Sequence, residues 1–281
     1  MNISDAIKLG GETLRQSSVA EPEREVNLLL RHSLKRDATF IYSHPEYRLD
    51  AVESILFKAV LKRRAAGEPF QYISGVQEFY GHEFKVTPDV LIPRPETEIL
   101  VEAAIGELKG NAETKFCEIG VGSGCISISI LKAVPSAIAV AVDLSKGAID
   151  VAKANAEKHD VLRRLNLLES DIFSSINDAD FDLIVSNPPY IPMPDIETLQ
   201  KEVREFEPRM ALDGGRDGLD TVRKIINEAP NYLRSKGRLL VEIGWDQAES
   251  VNELFQSPIW HDVRFHNDLQ GIPRVVDARL T

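Results

Sequence analysis

The segment Asn187-Pro188-Pro189-Tyr190 contains the residues whose types and spacing point most directly to chemistry. It follows immediately on an apolar run over residues 181–186, which is typical of a strand. Its two prolines remove backbone donors, so the Asn187 side-chain oxygen and the Pro188 carbonyl can both accept from one planar NH₂ group. Tyr190 offers a flat face for stacking. The segment therefore predicts catalytic and substrate-binding residues suited to methylation of an amide or exocyclic nitrogen.

A second candidate site is the glycine-rich segment 118–124, which ends an earlier predicted strand. Its alternate glycines let the backbone turn sharply and approach a ligand, and the following helix offers free N–H groups. Asp143 lies 19 residues after Gly124 and ends the next predicted strand. An acidic residue there can accept both hydroxyls of a ribose. This arrangement is typical of both dinucleotide and S-adenosylmethionine sites.

Two features favour S-adenosylmethionine. The full dinucleotide pattern Gly-x-Gly-x-x-Gly is absent, and Glu118 places a carboxylate beside the loop, which suits a cationic methionine group better than a pyrophosphate. Asp171 can accept from an adenine amino group while Ile172 packs on the ring, although a helix cap and a core residue explain this pair equally well. The predicted cofactor-binding residues are Glu118, Gly120, Val121, Gly122, Ser123, Gly124, Asp143, Asp171, Ile172 and Asn187.

Composition limits the class of protein. The 281 residues include 33 basic and 44 acidic side chains, and the net charge of −11 argues against a large non-specific phosphate-binding surface. Cys117 and Cys125 cannot form a disulfide framework, and the six histidines lack paired ligand spacing, so no metal site is predicted. No run approaches the roughly 20 apolar residues of a membrane span. We expect a cytoplasmic protein.

The first part of the chain, up to about residue 70, predicts helices only. A first helix is expected to be capped by Ser4 or Asp5, a second to begin at Pro22, and a third to be capped by Asp50. The expected buried face of the third helix consists of Val52, Ile55, Leu56, Ala59 and Val60. Residues 76–86 then predict a hairpin around Gly81, and the prolines in residues 91–98 exclude a helix before Glu96 or Thr97.

From residue 115 onward, short apolar strands alternate with helices, which predicts a mostly parallel sheet with helices on both faces. The last two strands are separated only by residues 267–274, which is too short for a helical crossover, so they should pair antiparallel. Helices are expected over residues 145–157 and 218–234. The predicted strands lie near residues 115–119, 138–142, 164–168, 181–186, 237–243, 262–266 and 274–279.

Together these motifs resemble the release-factor glutamine N5-methyltransferases, the HemK/PrmC family. The resemblance covers essentially all of residues 65–281, and the helical residues 1–65 are similar in type. Glu118 replaces the aspartate that is common before the loop, and Ile172 replaces an aromatic residue of some members. Besides the two sites above, the resemblance is carried by residues 67–75, 78–81, 91–98, 207–208, 211–215 and 217–220.

The resemblance implies an α/β fold with a Rossmann-like class I methyltransferase sheet. It implies a helical substrate-docking domain over residues 1–72, a β-hairpin linker over 73–95 and an S-adenosylmethionine-dependent domain over 96–281. The implied substrate is the glutamine of the Gly-Gly-Gln motif in class-1 peptide release factors, modified by a monomer that contacts neither nucleic acid nor membrane. The family's cofactor roles fall on Gly120 to Gly124 for methionine, Asp143 for ribose, and Asp171 with Ile172 near adenine. The resemblance implies that the target amide is held by Asn187, Pro188, Pro189 and Tyr190. Arg94 is a further substrate-binding candidate.

Three alternatives remain open. Ribosomal-protein glutamine methyltransferases are the nearest. The second alternative is a DNA adenine-N6 or RNA guanine-N2 methyltransferase, which would use the Asn-Pro-Pro-Tyr segment to hold a base amino group. Such enzymes need a phosphate-binding surface, and the net charge of −11 argues against one. The third alternative is a catalytically silent adaptor whose helical domain docks partners, and the intact glycine loop and intact Asn-Pro-Pro-Tyr segment argue against it.

Overall fold

A computed structural model of the chain describes residues 1–177 and 179–281. The chain divides into two compact units, which are described separately. The first comprises Met1–Val76 with Gln200–Phe206, and the second comprises Gln77–Leu199 with Glu207–Thr281. The domain boundaries inferred from the sequence stay predictions.

The first unit is built from helices around one apolar core. Its helices are α1 (Ile3–Gln16), α2 (Pro22–Leu34), α3 (Ala38–Ser43), α4 (Ala51–Ala65), α5 (Phe70–Ser74) and, later in the chain, α9 (Lys201–Phe206). The buried Arg64 on α4 donates to Glu25 on α2 at 2.5 Å and to Glu202 on α9 at 2.8 Å. This paired charge therefore ties three helices together.

The observed helix starts agree only partly with those predicted from the sequence. Pro22 begins α2 and Asp50 caps α4, as predicted. The cap of α1, however, is Asn2, whose side chain accepts from the Asp5 N–H at 2.8 Å while the Asp5 carboxylate accepts from the Asn2 N–H. The choice of Ser4 or Asp5 was wrong because Asp5 is the reciprocal partner of a capping box.

The predicted buried face of α4 was only partly right, since Val60 is buried and Leu56 packs against the core. Val52 and Ile55 are 73% and 70% exposed, whereas Phe57, Val60 and Leu61 are buried. Apolar residues lie on both sides of this helix, so its sequence has no single stripe, and the large Phe57 ring decides which side enters the core.

The second unit contains a seven-stranded sheet. Its strand order is β5-β4-β3-β6-β7-β9-β8, with the first five strands parallel and β9 antiparallel to both of its neighbours. The mostly parallel sheet and the antiparallel end are therefore confirmed. The strands are β3 (Thr114–Ile119), β4 (Ala137–Asp143), β5 (Leu165–Glu169), β6 (Phe181–Ser186), β7 (Leu233–Glu242), β8 (Trp260–Asn267) and β9 (Pro273–Leu280).

Apolar side chains fill both faces of this sheet in two separate clusters. The helices of the second unit are α6 (Glu98–Leu108), α7 (Cys125–Ala133), α8 (Lys146–Lys158), α10 (Asp220–Glu228) and α11 (Ala248–Leu254). The helix expected over 145–157 corresponds to α8. The helix expected over 218–234 ends earlier, because Pro230 falls in a 3₁₀ turn (Ala229–Asn231) and β7 begins at Leu233.

The hairpin predicted around Gly81 is present as β1 (Val76–Phe79) and β2 (His82–Lys85). Tyr80 and Gly81 form its turn, both with positive φ. Residues 91–94 are not helical, and a 3₁₀ turn over Pro95–Thr97 leads into α6 one residue later than expected. Across the two described stretches of chain, none of the helices combines the length and apolarity needed to cross a bilayer.

Gly10 on α1 permits the close approach of α1 to α2. A Cβ at this position would lie 2.6 Å and 2.9 Å from the two methyl carbons of Val26, a stiff branched side chain. We expect Gly10→Ala to lower the thermal midpoint, because overpacking of this kind costs about 1–3 kcal/mol.

The matched control is Gly11→Ala on the same helix. There the nearest atom is the flexible end of Arg15 at 3.4 Å, so the higher helix propensity of alanine should leave the midpoint unchanged or raise it. Equal shifts for the two variants, measured by circular dichroism, would contradict this account of the α1–α2 contact.

Candidate active site

The loops after β3 and β6 meet at one edge of the sheet. In the parallel pairing of these strands Ile119 is opposite Ser186, so Gly120 and Asn187 begin neighbouring loops. The Ser186 hydroxyl donates to the Ile119 carbonyl at 2.8 Å, and a Cβ on Gly120 would lie 3.9 Å from the Asn187 carbonyl oxygen. β3 lies between β4 and β6, which makes this edge the topological switch point where such sheets bind ligands.

The glycine loop is held open by its own backbone. Gly120 and Gly122 have φ of +78° and +53°, a region that side chains disfavour. The N–H groups of Gly120 and Val121 both donate to the Val142 carbonyl at 2.9 Å, which anchors the loop on β4. A Cβ on Gly122 would meet nothing within 4 Å, so the backbone is accessible to a ligand there.

Asp143 at the end of β4 is adjacent to this loop. One carboxylate oxygen accepts from the Gly122 N–H and the other from the Ser145 N–H, both at 2.9 Å. Each oxygen keeps a further lone pair for an incoming hydroxyl. Burial raises the pKa of Asp143, whereas the backbone hydrogen bonds from Ser145 and Gly122 oppose that rise.

Glu118 lies behind the loop and is fully buried. Its Oε2 accepts from the Ser127 N–H at 2.9 Å and from the Ser127 hydroxyl, whereas Oε1 has no hydrogen-bond partner among the described residues. Burial raises the pKa of this carboxyl to about 8. A buried carboxylate oxygen without a partner suits a cationic ligand.

The turn after β5 places Ile172 in an unusual backbone conformation. Its φ of +51° is strained for a β-branched residue, and the Ser170 hydroxyl fixes the turn by donating to the Ile172 carbonyl at 3.0 Å. Strain of this kind is found where the surrounding structure forces a side chain into a particular place. Here Ile172 and the exposed Asp171 both line the central cavity.

The loop Asn187–Tyr190 is held by side chains from other elements. Asn187 Nδ2 donates to the Thr97 hydroxyl at 3.0 Å, and the Tyr190 hydroxyl donates to Glu242 at 3.4 Å. Burial and the nearby Glu242 carboxylate raise the pKa of Tyr190, so its hydroxyl remains a donor. Burial also raises the pKa of Glu242, to about 7.

The backbone after this loop is paired with a second segment. The Ile191 N–H donates to the Leu212 carbonyl at 3.1 Å, and the Met193 N–H donates to the Gly215 carbonyl at 2.8 Å. Gln247 Nε2 donates to the Tyr190 carbonyl at 2.9 Å. The loop is therefore braced on both sides.

Arg94 lines the cavity, but its guanidinium is paired within the protein. Its Nη2 donates to Glu207 Oε1 at 2.5 Å, and Glu207 Oε2 accepts from the Ile92 N–H at 3.2 Å. The pair fixes the proline-rich segment beside the cavity. A direct role of Arg94 in substrate binding stays a prediction.

Most of the predicted site residues surround one cavity of about 450 Å³. The glycine loop and the Asn187 loop contribute to the same wall, whereas Glu118, Gly124, Pro188 and Tyr190 do not line the cavity. The predicted residues that do line it are Arg94, Gly120, Val121, Gly122, Ser123, Asp143, Asp171, Ile172, Asn187 and Pro189.

Sequence reasoning gave no role to several other lining residues. Thr97 and Asp213 lie in segments that carry the family resemblance, so these segments could have indicated that both residues lie near the site. No pattern marks Lys224, which is an ordinary exposed position of α10. The lining residues that were missed include Asp89, Thr97, Met210, Asp213, Thr221 and Lys224.

Comparison with known proteins agrees with this geometry. The family described as "PrmC N-terminal domain" matches residues 5–75, and "Methyltransferase small domain" matches residues 96–202. The release factor glutamine methyltransferase of Geobacter sulfurreducens is 45% identical over 267 residues, covering 95% of this chain and 93% of that protein. The protein of the same name from Koribacter versatilis is 37% identical over 280 residues, covering 99% of each.

The chain belongs to the release factor glutamine methyltransferase family. This membership confirms the resemblance inferred from the motifs. A solved methyltransferase from Pyrococcus furiosus superposes with a TM-score of 0.52 at 17% identity, covering 79% of this chain and 98% of that one, and it shares the fold alone. The Rossmann-like class I sheet is thus confirmed as well.

Gly218 packs against the backbone of the Asn187 loop and against Gln247, which holds that loop. Its φ is +79°, and a Cβ there would lie 2.3 Å from the Tyr190 carbonyl oxygen and 2.7 Å from Gln247 Nε2. We expect Gly218→Ala to displace the loop and to speed hydrogen exchange at the Ile191 and Met193 amides, measured by mass spectrometry or NMR.

Gly271→Ala is the matched control. Its φ of +83° imposes a similar backbone strain, but a Cβ there meets nothing within 4 Å. Both variants should lose about 1–2 kcal/mol of stability through φ. Faster exchange at Ile191 and Met193 in both variants, or in neither, would show that the contact with Tyr190 is unimportant.

Proposed function

We propose that this chain transfers a methyl group from S-adenosylmethionine to the side-chain N5 of the glutamine in the Gly-Gly-Gln motif of class-1 peptide release factors. The observation that carries the proposal is the position of Asn187 beside Gly120 at the switch point of the sheet. Membership of the release factor glutamine methyltransferase family supports the choice of substrate.

The residues around the cavity fit S-adenosylmethionine. The open glycine backbone can accept its methionine part, and the free lone pairs of Asp143 suit ribose hydroxyls. Behind the loop, the unpartnered Oε1 of the buried Glu118 suits a cation, which would favour the ionised form of this carboxyl. Asp171 and Ile172 are the candidates for the adenine end. When bound, S-adenosylmethionine supplies an electrophilic methyl group.

The Asn187 loop would position the target amide. Asn187 Oδ1 and the Pro188 carbonyl can each accept one hydrogen of the substrate NH₂, while Pro188 and Pro189 supply no competing N–H. Holding both hydrogens directs the nitrogen lone pair, and positioning of this kind can supply about 7–11 kcal/mol of the barrier. The same acceptors stabilise positive charge that develops on the nitrogen.

We also infer that the protein acts as a cytoplasmic monomer on a protein rather than on nucleic acid. The net charge of −11 supports a protein substrate, and the two buried free cysteines support a reducing compartment. The monomeric state is what the family resemblance implies. The helical first unit, which contains the region matched by the PrmC N-terminal family, is the candidate for docking the release factor.

Methyl transfer from labelled S-adenosylmethionine to a purified class-1 release factor tests the proposal. We expect label on the normal factor and none on a copy whose Gly-Gly-Gln glutamine is changed to alanine. Equal label on both copies would move the target to another residue. Absence of label despite cofactor binding would direct the search to ribosomal proteins and then to nucleic acids.

Substitutions of Asn187 and Asp143 should affect turnover and cofactor binding separately. Asn187→Ala should lower kcat by roughly 10²–10³, because an acceptor for developing charge is lost, while S-adenosylmethionine affinity changes less than about twofold. Asp143→Ala should weaken cofactor affinity by about 10- to 100-fold through lost hydrogen bonds to a charged group. Calorimetry and initial rates check this division, which equal damage from both changes would refute.

A further inference from the structure

We propose that Asn155 is a positioning residue that holds the glycine loop in the conformation that S-adenosylmethionine needs. Asn155 lies on α8, outside both of the segments that the sequence marks as candidate sites. The proposal rests on the proposed cofactor site. It adds a residue that acts through the backbone of the loop rather than by touching the ligand.

The side chain of Asn155 is fully buried and fully hydrogen-bonded. Its Oδ1 accepts from the Lys85 N–H at 2.7 Å. Its Nδ2 donates to the Lys85 carbonyl at 2.9 Å and to the Ser123 carbonyl at 2.8 Å. A backbone N–H can only donate and a carbonyl can only accept, so these three partners fix the orientation of the carboxamide and use both of its hydrogens.

The two bonds with Lys85 belong to a wider contact between α8 and strand β2. The Asn155 carboxamide exchanges both bonds with the Lys85 backbone, as a neighbouring strand would. Further along β2, Lys158 Nζ and His159 Nε2 each donate to the Glu83 carbonyl at 2.9 Å. The hairpin is therefore anchored to the same helix that carries the bond to Ser123.

The bond with Ser123 fixes one peptide group of the glycine loop. The carbonyl of this peptide accepts from Asn155, and its N–H, on Gly124, donates to the Val121 carbonyl at 2.8 Å. Gly122 and Gly124, which flank Ser123, have φ of +53° and +80°. Because glycine backbones rotate easily, hydrogen bonds rather than local preference must hold this peptide in place.

Loss of the donor would leave the Ser123 carbonyl unpaired in a buried place, which is unfavourable. The loop would then populate conformations in which this carbonyl reaches water in the cavity that Ser123 lines. Only molecules with the original loop would bind the cofactor, so the apparent affinity would fall with their fraction. Once the cofactor is bound the loop is the original one, so the rate at saturation should be retained.

Asn155→Asp tests this role, because aspartate keeps the shape and the acceptor but, when ionised, has no donor. At pH 8 we expect the Kd for S-adenosylmethionine, measured by calorimetry, to rise about tenfold. The KM for S-adenosylmethionine should rise in parallel, while kcat at saturating cofactor stays within about twofold of normal. A purely structural role would lower the thermal midpoint and leave the Kd, measured well below that midpoint, unchanged.

His159→Ala is the matched control. It removes a contact between α8 and the hairpin but none with the glycine loop. We expect a lower thermal midpoint and an S-adenosylmethionine affinity within about twofold of normal. Unchanged affinity in Asn155→Asp, or equal losses of affinity in the two variants, would overturn the proposal.

A measurement on the unmodified protein covers the case in which Asn155→Asp fails to fold. The Asn155 side-chain NH₂ protons should exchange slowly with water by NMR, and more slowly still with S-adenosylhomocysteine, because the ligand favours the loop that accepts from them. The exposed Asn252 on α11 should exchange quickly with and without this ligand. Fast exchange at Asn155, or exchange that the ligand leaves unchanged, would refute the proposal.

These measurements need no release factor, so they separate this proposal from the proposed function. Absence of release-factor methylation, with the effect of Asn155→Asp on cofactor affinity retained, would refute the substrate and leave the role of Asn155 standing. Methylation of release factors with normal cofactor affinity in Asn155→Asp would do the reverse.

Discussion

The site depends on the parallel pairing of β3 with β6. Because Ile119 is opposite Ser186, the backbone hydrogen bonds of the sheet place the start of the glycine loop against the start of the Asn187 loop. A slip of one residue would turn every side chain of the strand to the other face and separate the two loops. The Ser186 hydroxyl reinforces this register, and the Val142 carbonyl extends it to β4. The strands therefore set the distance between the glycine loop and the Asn187 loop.

Patterns with a short repeat were predictable from the sequence. The strand–helix alternation, the hairpin at Gly81 and the antiparallel end of the sheet each follow from local spacing. Where local patterns were ambiguous, the prediction was wrong, as for the two apolar sides of α4 and the cap of α1. In both cases packing or a reciprocal hydrogen bond selected between residues that the sequence alone made equivalent.

The contacts that support the site were not predictable, because they join residues far apart in the chain. Thr97 meets Asn187 across 90 residues, and Arg94 meets Glu207 across 113. The sequence alone also does not distinguish the surroundings of two glycines. A side chain at Gly218 would clash with Tyr190, whereas Gly271 has open space around it. The sequence thus predicted the two loops that meet at the cavity, whereas the long-range contacts that hold them, such as Thr97 with Asn187, required the fold.

The two buried carboxylates near the site share one feature, because in each of them only one oxygen has hydrogen-bond partners among the described residues. Glu118 takes both of its hydrogen bonds on one oxygen, from Ser127, and leaves the other oxygen without a partner. Glu242 accepts from the Tyr190 hydroxyl on Oε1, and its Oε2 likewise has no hydrogen-bond partner among the described residues. Burial raises the pKa of both groups, so each carboxylate is stabilised only by the contacts around it. The ionised form of either group would therefore need a further donor or a cation, which for Glu118 is the role proposed for the cationic methionine end of the cofactor.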